Sequence, residues 1–166
     1  CALAANVYGA AISAPAQILT SPGLKVNLVV IPAGAITIRQ YLILATGAGM
    51  RVYTRFENTG PVAATGVTYW DGADVDVLGT SATDDTGVHN SDDSLVVSET
   101  VSPGAAALRG TLTSTGWDLR DRVKVMDAVI ANAPANPPSS LALDIGWAAR
   151  FPVADVAPGS FSALRT

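Results

Sequence analysis

The chain has 166 residues, a length that suits one domain able to bury a core without disulfides. Hydrophobic residues make up 49% of it and charged residues only 14%, a composition that excludes disorder, which needs low hydrophobicity and high charge. The net charge of −4 argues against binding to nucleic acid or to an anionic membrane surface, because both would need a basic patch.

The composition of residues 1–20 predicts an N-terminal extension. These residues are apolar and mostly small, and such a segment is costly to leave exposed to water. We therefore expect it to add a strand to the open sheet edge of a neighbouring copy, which is donor-strand exchange. The candidate contact residues are Val7, Tyr8, Ile12, Ile18 and Leu19.

Cys1 is the only cysteine, which excludes an internal disulfide and a cysteine-based zinc site. Because mature bacterial lipoproteins begin with a lipid-bearing cysteine, Cys1 is a candidate lipid anchor, and an accident of processing is the alternative. No transmembrane segment is predicted, since Pro32, Gly34, Arg39 and Gln40 interrupt the apolar stretch 26–50. A span needs roughly 18 to 20 continuous apolar residues.

Residues 21–166 predict an all-β fold, a single antiparallel β-sandwich that is Ig-like or jelly-roll-like rather than a closed barrel. Apolar residues alternate with polar ones at period two, as in half-buried strands, and Pro-Gly turns separate the segments. A helix of ordinary length is hard to find, because Gly, Pro and β-branched residues interrupt each candidate window. The predicted strands are 17–20, 25–30, 36–39, 50–57, 66–70, 74–78, 95–100, 106–113, 120–125, 141–150 and 160–165.

The stretch RVYTRFENTGPVAATGVTYWDG, residues 51–72, resembles the conserved-repeat, Ig-like β-sandwich domains of secreted and surface proteins of bacteria and archaea. In those domains an Asn-Thr-Gly corner joins neighbouring strands, and a later Val-x-Pro-Gly turn opens another strand, as at 101–104 and 156–159 here. The acidic insertion after Trp70 and the apolar first 35 residues depart from the pattern. The resemblance implies an extracellular or cell-surface role in structure or adhesion, with no catalytic residues.

Acidic residues cluster around the only histidine, His89, in the segment DDTGVHNSDD. No full set of parts for a Ser-His-Asp triad is evident, so we expect a solvated loop histidine and no enzyme activity. Calcium prefers several carboxylate and carbonyl oxygens, and a solvated acidic surface is the alternative interpretation. The candidate calcium ligands are Asp84, Asp85, Asp92 and Asp93, and no other cofactor is predicted.

Charge is unevenly distributed along the chain. Residues 56–108 hold nine acidic and no basic residues, whereas the remainder holds ten basic and five acidic ones. The predicted strand 120–125 would place Arg120, Arg122 and Lys124 on one face. Such a subunit could associate head to tail, the acidic part of one copy meeting this basic face of the next; pairing within one molecule is the alternative.

These patterns favour a non-enzymatic extracellular subunit that self-assembles into a filament, a pilus-like fibre or a surface layer, with itself as partner. A carbohydrate-binding or adhesive module is one alternative, since aromatic rings can stack on sugars. Core packing is the simpler interpretation of the same aromatic residues, which are Tyr69, Trp70, Trp117 and Trp147. A viral capsid-decorating or tail structural protein is the other alternative.

Overall fold

The computed structural model describes residues 16–45, 50–74, 85–99, 104–110, 113–142 and 144–166. Within these ranges the chain forms antiparallel β-sheets and one helix, which confirms the predicted all-β class. The strands are β1 Ala16–Ser21, β2 Leu24–Ala33, β3 Ile36–Ala45, β4 Met50–Asn58, β5 Thr68–Asp74, β6 Asp85–His89, β7 Leu95–Glu99, β8 Gly104–Leu108, β9 Gly116–Asp121, β10 Ser139–Ala142, β11 Ile145–Pro152 and β12 Phe161–Arg165, and the helix α1 is Arg122–Ala131.

The chain divides into two compact units. Unit 1 is Cys1–Thr68 with Val153–Thr166, and unit 2 is Tyr69–Pro152. β1 holds the end of the predicted extension and pairs with β2 of its own chain. The predicted division at residue 20 stays a prediction, because residues 1–15 lie outside the described ranges.

Unit 1 contains a five-stranded antiparallel sheet in the order β1-β2-β3-β4-β12. One face of this sheet is its core face, because alternate side chains of a strand point to the same side. Ile38 and Phe56 are register partners there, and both are buried. The other buried apolar side chains of this face are Val29, Ile31, Ile36 and Leu164.

The predicted Pro-Gly turns of unit 1 are confirmed. Gly23, Gly34 and Gly159 each adopt a positive φ, of 77°, 64° and 71°, in the turns that precede β2, β3 and β12. Glycine suits these positions because it lacks the Cβ that makes this backbone region costly for other residues. Residues 101–103 of the fourth predicted turn lie outside the described ranges.

The Asn-Thr-Gly-Pro corner is held by the buried side chain of Asn58. Its Nδ2 donates to the carbonyl oxygens of Val62, at 2.7 Å, and Val156, at 2.8 Å, and its Oδ1 accepts from the backbone N of Gly60 at 2.9 Å. The Asn58 carbonyl accepts from the backbone N of Gly159 at 2.9 Å. One residue therefore ties the end of β4 to the Val-x-Pro-Gly turn before β12.

Unit 2 contains two further sheets, in the orders β5-β11-β9 and β10-β6-β7-β8. β6 and β10 contact β9 and β11, so the two sheets share a core. Gly87 of β6 lies directly against Leu119 of β9, where an added Cβ would come within 2.6 Å of the leucine Cγ. The largest apolar side chains that are fully buried in unit 2 are Leu95, Val97, Leu119, Ile145 and Phe151.

The prediction of a strand over 120–125 was wrong for 122–125, because β9 ends at Asp121 and α1 begins at Arg122. The Asp121 side chain caps the helix by accepting from the backbone N of Val123 at 3.0 Å. Asn132 ends the helix in the left-handed region with φ 51°. Val125 and Ala128, three residues apart, are its buried side chains, and α1 contacts β9 and β11.

The Asn58 amide yields a stability prediction. Asn58→Ala removes three hydrogen bonds and leaves two carbonyl groups without this partner, so we expect unfolding free energy to fall by about 3 kcal/mol. The neighbouring control Thr59→Ala removes one exposed hydroxyl contact and should cost less than about 1 kcal/mol.

Urea unfolding followed by far-ultraviolet circular dichroism measures this loss. All three tryptophans lie in unit 2, so tryptophan fluorescence reports that unit by itself. A loss in Asn58→Ala no larger than that in Thr59→Ala would contradict the role given to the amide.

Candidate functional site

The predicted basic face does not exist as a strand face. Arg120 lies on β9, whereas Arg122 and Lys124 lie on α1. Arg120 makes a two-point contact with the buried Asp118, from Nε at 2.6 Å and Nη2 at 2.6 Å, and these hydrogen bonds raise the pKa of Arg120. Arg122 pairs with Asp144 at 3.0 Å. Both arginines therefore have carboxylate partners in the same molecule.

The four predicted calcium ligands have different surroundings. Asp84 lies outside the described ranges. Asp85 is buried, so the solvated-surface interpretation is wrong for it, and its Oδ2 accepts from the backbone N of Ile145 at 3.1 Å. Asp92 accepts from the hydroxyl of Ser94 at 2.7 Å. Among the described residues no group of three or more His, Cys, Asp or Glu side chains is placed to hold a metal, and calcium binding stays a prediction.

His89 is not the solvated loop residue that we predicted. It ends β6, and its ring stacks on Trp117 with the ring centroids 3.8 Å apart and an interplanar angle of 16°. Its Nε2 lies 2.9 Å from Oδ1 of Asp93. The segment looked like a loop in the sequence because its strand is short and is surrounded by Asp, Asn and Ser.

Asp93 organises this cluster by bonding two partners at once. Its Oδ1 accepts from the hydroxyl of Ser114 at 2.8 Å, and its Oδ2 accepts from the Ser114 backbone N at 2.6 Å. The carboxylate thus bonds both Ser114 and His89. A hydrolase triad needs the histidine to bond the serine directly, whereas here the Asp93 carboxylate joins the two residues, and we call this arrangement the Asp93 clip.

Burial by itself would raise the pKa of Asp93, but the hydrogen bonds from the Ser114 backbone and from the His89 and Ser114 side chains outweigh it. The pKa of Asp93 is consequently lower than its ordinary value of 3.8. A carboxylate with a lowered pKa stabilises the fold at pH values above the unfolded pKa.

The aromatic residues of unit 2 are held by polar contacts as well as by packing. Trp147 is buried, which confirms the core interpretation for it. Trp117 Nε1 donates to the Pro137 carbonyl at 2.8 Å, and Trp70 Nε1 donates to Oδ1 of Asn132 at 3.1 Å. These indole groups are engaged within the protein.

The feature that sequence reasoning missed is the second face of the unit 1 sheet, which we call the open face. On β2 it carries Val26, Leu28 and Val30, which are half-buried, while the core face of the same strand carries Val29 and Ile31. The clue is the apolar run LVVI at 28–31, which occupies both sides of the strand. Further members of the open face include Arg39, Tyr41, Ile43, Arg51, Tyr53, Arg55, Glu57, Phe161, Ala163 and Arg165.

Glu57 bridges two opposed arginines at the centre of the open face and offsets part of their charge. Arg39 and Arg55 are cross-strand partners, and like charges in that position repel. Glu57 forms an ion pair with each of them, its carboxylate oxygens lying 3.0 Å from the Nε atoms of Arg39 and Arg55. The Arg55 guanidinium lies 3.8 Å from the centroid of the exposed Phe161 ring, a cation–π contact. The open face is thus aromatic, aliphatic and rich in arginine.

Two of the five predicted contact residues of the N-terminal extension lie at the edge of the same sheet. β1 is exposed along all six of its residues, and Ile18 and Leu19 are about half exposed. The other three, Val7, Tyr8 and Ile12, lie outside the described ranges.

Taken together, these features define an antiparallel all-β protein with an apolar, arginine-bearing sheet face. A scan against models of protein families matched no family, and a search of the curated proteins found no match. Among the described residues, no helix is long and apolar enough to cross a membrane.

The Asp93 clip yields a pH prediction. In Asp93→Asn the left-handed φ of 63° is retained, because asparagine tolerates it, but the charge is lost. At pH 7 we expect the variant to be less stable by about 2 kcal/mol. The difference should shrink as the pH falls below 3.8 and through the lowered pKa of Asp93, because the native protein then loses the same charge.

Urea titrations monitored by tryptophan fluorescence between pH 7 and acid measure both quantities. The control Asp127→Asn removes a charge from the exposed surface of α1 and should change stability at pH 7 by less than about 0.5 kcal/mol. A gap between native protein and Asp93→Asn that stayed constant down to acid would refute the proposed role of the carboxylate.

Proposed function

We propose that the protein is a non-enzymatic structural subunit that self-assembles into a filament, a pilus-like fibre or a surface layer outside the cell. The observation that carries this proposal is the five-stranded sheet of unit 1, which presents apolar side chains on both faces. The resemblance of residues 51–72 to surface-protein sandwich domains supports an extracellular location.

A sheet with one solvated face normally alternates apolar and polar residues along each strand. β2 departs from this rule, because Val26, Leu28 and Val30 face one side and Val29 and Ile31 the other. Strands that read as continuous apolar runs are typical of sheets covered on both sides. Association with another molecule would supply the second cover.

The edge of the sheet supports the same proposal. An exposed edge strand offers unpaired backbone groups to another chain, and natural proteins protect such edges with charge, proline, bulges or short strands. β1 carries no charged residue and no proline over its six residues, and a register shift between Gln17 and Leu19 is its one protective irregularity. The edge therefore favours addition of a strand from another copy.

Donor-strand exchange is the mechanism that fits this edge. β1 pairs with β2 of its own chain, and the same pairing made between two copies would link them through backbone hydrogen bonds. Such a link is heterologous and extends into an open polymer when its rotation does not close a ring.

The edge strand yields an assembly prediction. Ile18→Asp combined with Leu19→Asp places two charges on the exposed apolar edge, and we expect the concentration needed for assembly to rise at least about tenfold. The control is Val62→Asp, which places a charge on an exposed loop residue of the same unit. Sedimentation over a concentration series and electron microscopy measure assembly, and circular dichroism checks the fold.

If the double variant polymerises at the same protein concentration as the native protein, β1 is not the route of assembly. A native protein that stays monomeric over the whole concentration series would overturn the proposed function itself.

A further inference from the structure

A second apolar surface lies on unit 2, along the outer side of α1. Val123, Met126 and Ile130 expose 59%, 46% and 53% of their surface, and we call these three residues the helix ridge. Their spacing of three and four residues places them on one side of the helix. Val125 and Ala128 are buried on the opposite side.

This ridge is unusual for a helix at a protein surface, whose outer face is normally polar. The charged residue within it is Asp127, which is exposed and lies one turn after Val123. The basic residues of the helix flank the ridge: Arg122 is paired with Asp144, and Lys124 is exposed. The ridge is thus apolar with an acidic group inside it.

Charge opposes the simplest way of covering the open face of unit 1. Two open faces brought together would place Arg39, Arg51, Arg55 and Arg165 of one copy against the same residues of the other, with Glu57 as the acidic residue of each face. Like charges brought together across an interface cost several kcal/mol. A symmetric pairing of open faces is therefore disfavoured.

The two units have opposite net charge, which favours contact between unlike parts of two copies. Unit 1 contains five basic and two acidic residues, for a net charge of +3, and unit 2 contains five basic and twelve acidic residues, for −7. Complementary charge steers association and fixes which surfaces meet. The partner that suits the open face is consequently unit 2 of another copy.

We propose that the helix ridge of one copy packs on the open face of the unit 1 sheet of the next copy, head to tail. This inference rests on the proposed function and names a second contact between subunits, beside the β1 edge. A helix lying on a sheet face is a standard layer arrangement in proteins. The ten residues of α1 span about 15 Å, and five strands spaced about 4.8 Å apart span about 19 Å, so the face can hold the helix.

The chemistry of the two surfaces matches in this contact. Val123, Met126 and Ile130 would cover the aliphatic and aromatic side chains of the open face, and Asp127 would meet its arginines. Because each copy offers both surfaces, the contact leaves a free ridge at one end and a free open face at the other. Repetition of the contact produces a polymer.

Cross-linking between two differently tagged proteins tests the contact directly. In a Cys1→Ser background, one protein carries Met126→Cys on the ridge and the other carries Ala163→Cys on the open face; both side chains are exposed. In the control, Ala107→Cys, on the exposed surface of β8 in unit 2, replaces Met126→Cys. With a short bis-maleimide we expect at least about tenfold more hetero-cross-link from Met126→Cys than from Ala107→Cys.

A substitution on the ridge provides an independent measurement. Met126→Lys places a charge of the same sign as the arginines of the open face in the apolar contact and should raise the concentration needed for assembly at least about tenfold, whereas the exposed-loop control Val62→Lys should not. Assembly of the native protein should also weaken as salt is added, because salt screens the opposite charges.

The outcomes separate this inference from the proposed function. Polymers that persist in Met126→Lys, with cross-linking no higher than in the Ala107→Cys control, would overturn the helix contact and leave the structural role in place. A native protein that neither polymerises nor cross-links would overturn both.

Discussion

The amide of Asn58 is the interaction on which unit 1 depends. Strand β12 comes from the far end of the chain, more than a hundred residues after β4, and it must still pair with β4 in the correct register. The hydrogen bond from Asn58 to the carbonyl of Val156, across 98 residues of sequence, fixes where that distant segment arrives. An amide suits the task because its nitrogen can donate two hydrogen bonds while its oxygen accepts another, whereas the hydroxyl of Ser or Thr has a single hydrogen to donate.

The register set at this corner determines what the open face presents. The pairing of Phe161 with Glu57 places the Phe161 ring beside the Arg55 guanidinium. A slip of one residue would turn Phe161 to the core face and Leu164 to solvent, because side chains alternate along a strand. The polar corner and the apolar sheet face are therefore coupled, although they lie on different parts of the sheet.

The parts of the fold that were predictable from sequence are those that local pattern determines. β4 alternates with period two and ends at the Asn-Thr-Gly signal, and β2 ends at the Pro-Ala-Gly signal, so both strands end where those signals indicate. The helix was not predictable in this way, because Val123 and Val125 alternate as strand residues do while only Val125 is buried. Its Asp121 and Asn132 caps are the local signal that could have revealed it.

The candidate sites were harder to predict because they depend on partners far away in sequence. Asp85 belongs to an acidic run, yet it is buried because Ile145 offers a backbone donor 60 residues later. Asp93 bonds Ser114, which lies 21 residues later in the sequence. Arg120 pairs with Asp118, two residues before it, so its charge is not available for the predicted basic face. The open face escaped detection because one strand with apolar residues on both sides looks like any buried strand until the sheet order is known.

The hydrogen bonds at the corner also affect how the protein ages. Asparagine deamidates when the backbone nitrogen of the following residue attacks the side-chain carbonyl to form a cyclic imide. The nitrogen of Thr59 instead donates to the Ala35 carbonyl at 2.8 Å, and the Asn58 amide is buried with its donors engaged. Conversion to aspartate would set a carboxylate against two carbonyl oxygens, so the geometry that builds the corner also disfavours the product of this slow chemical decay.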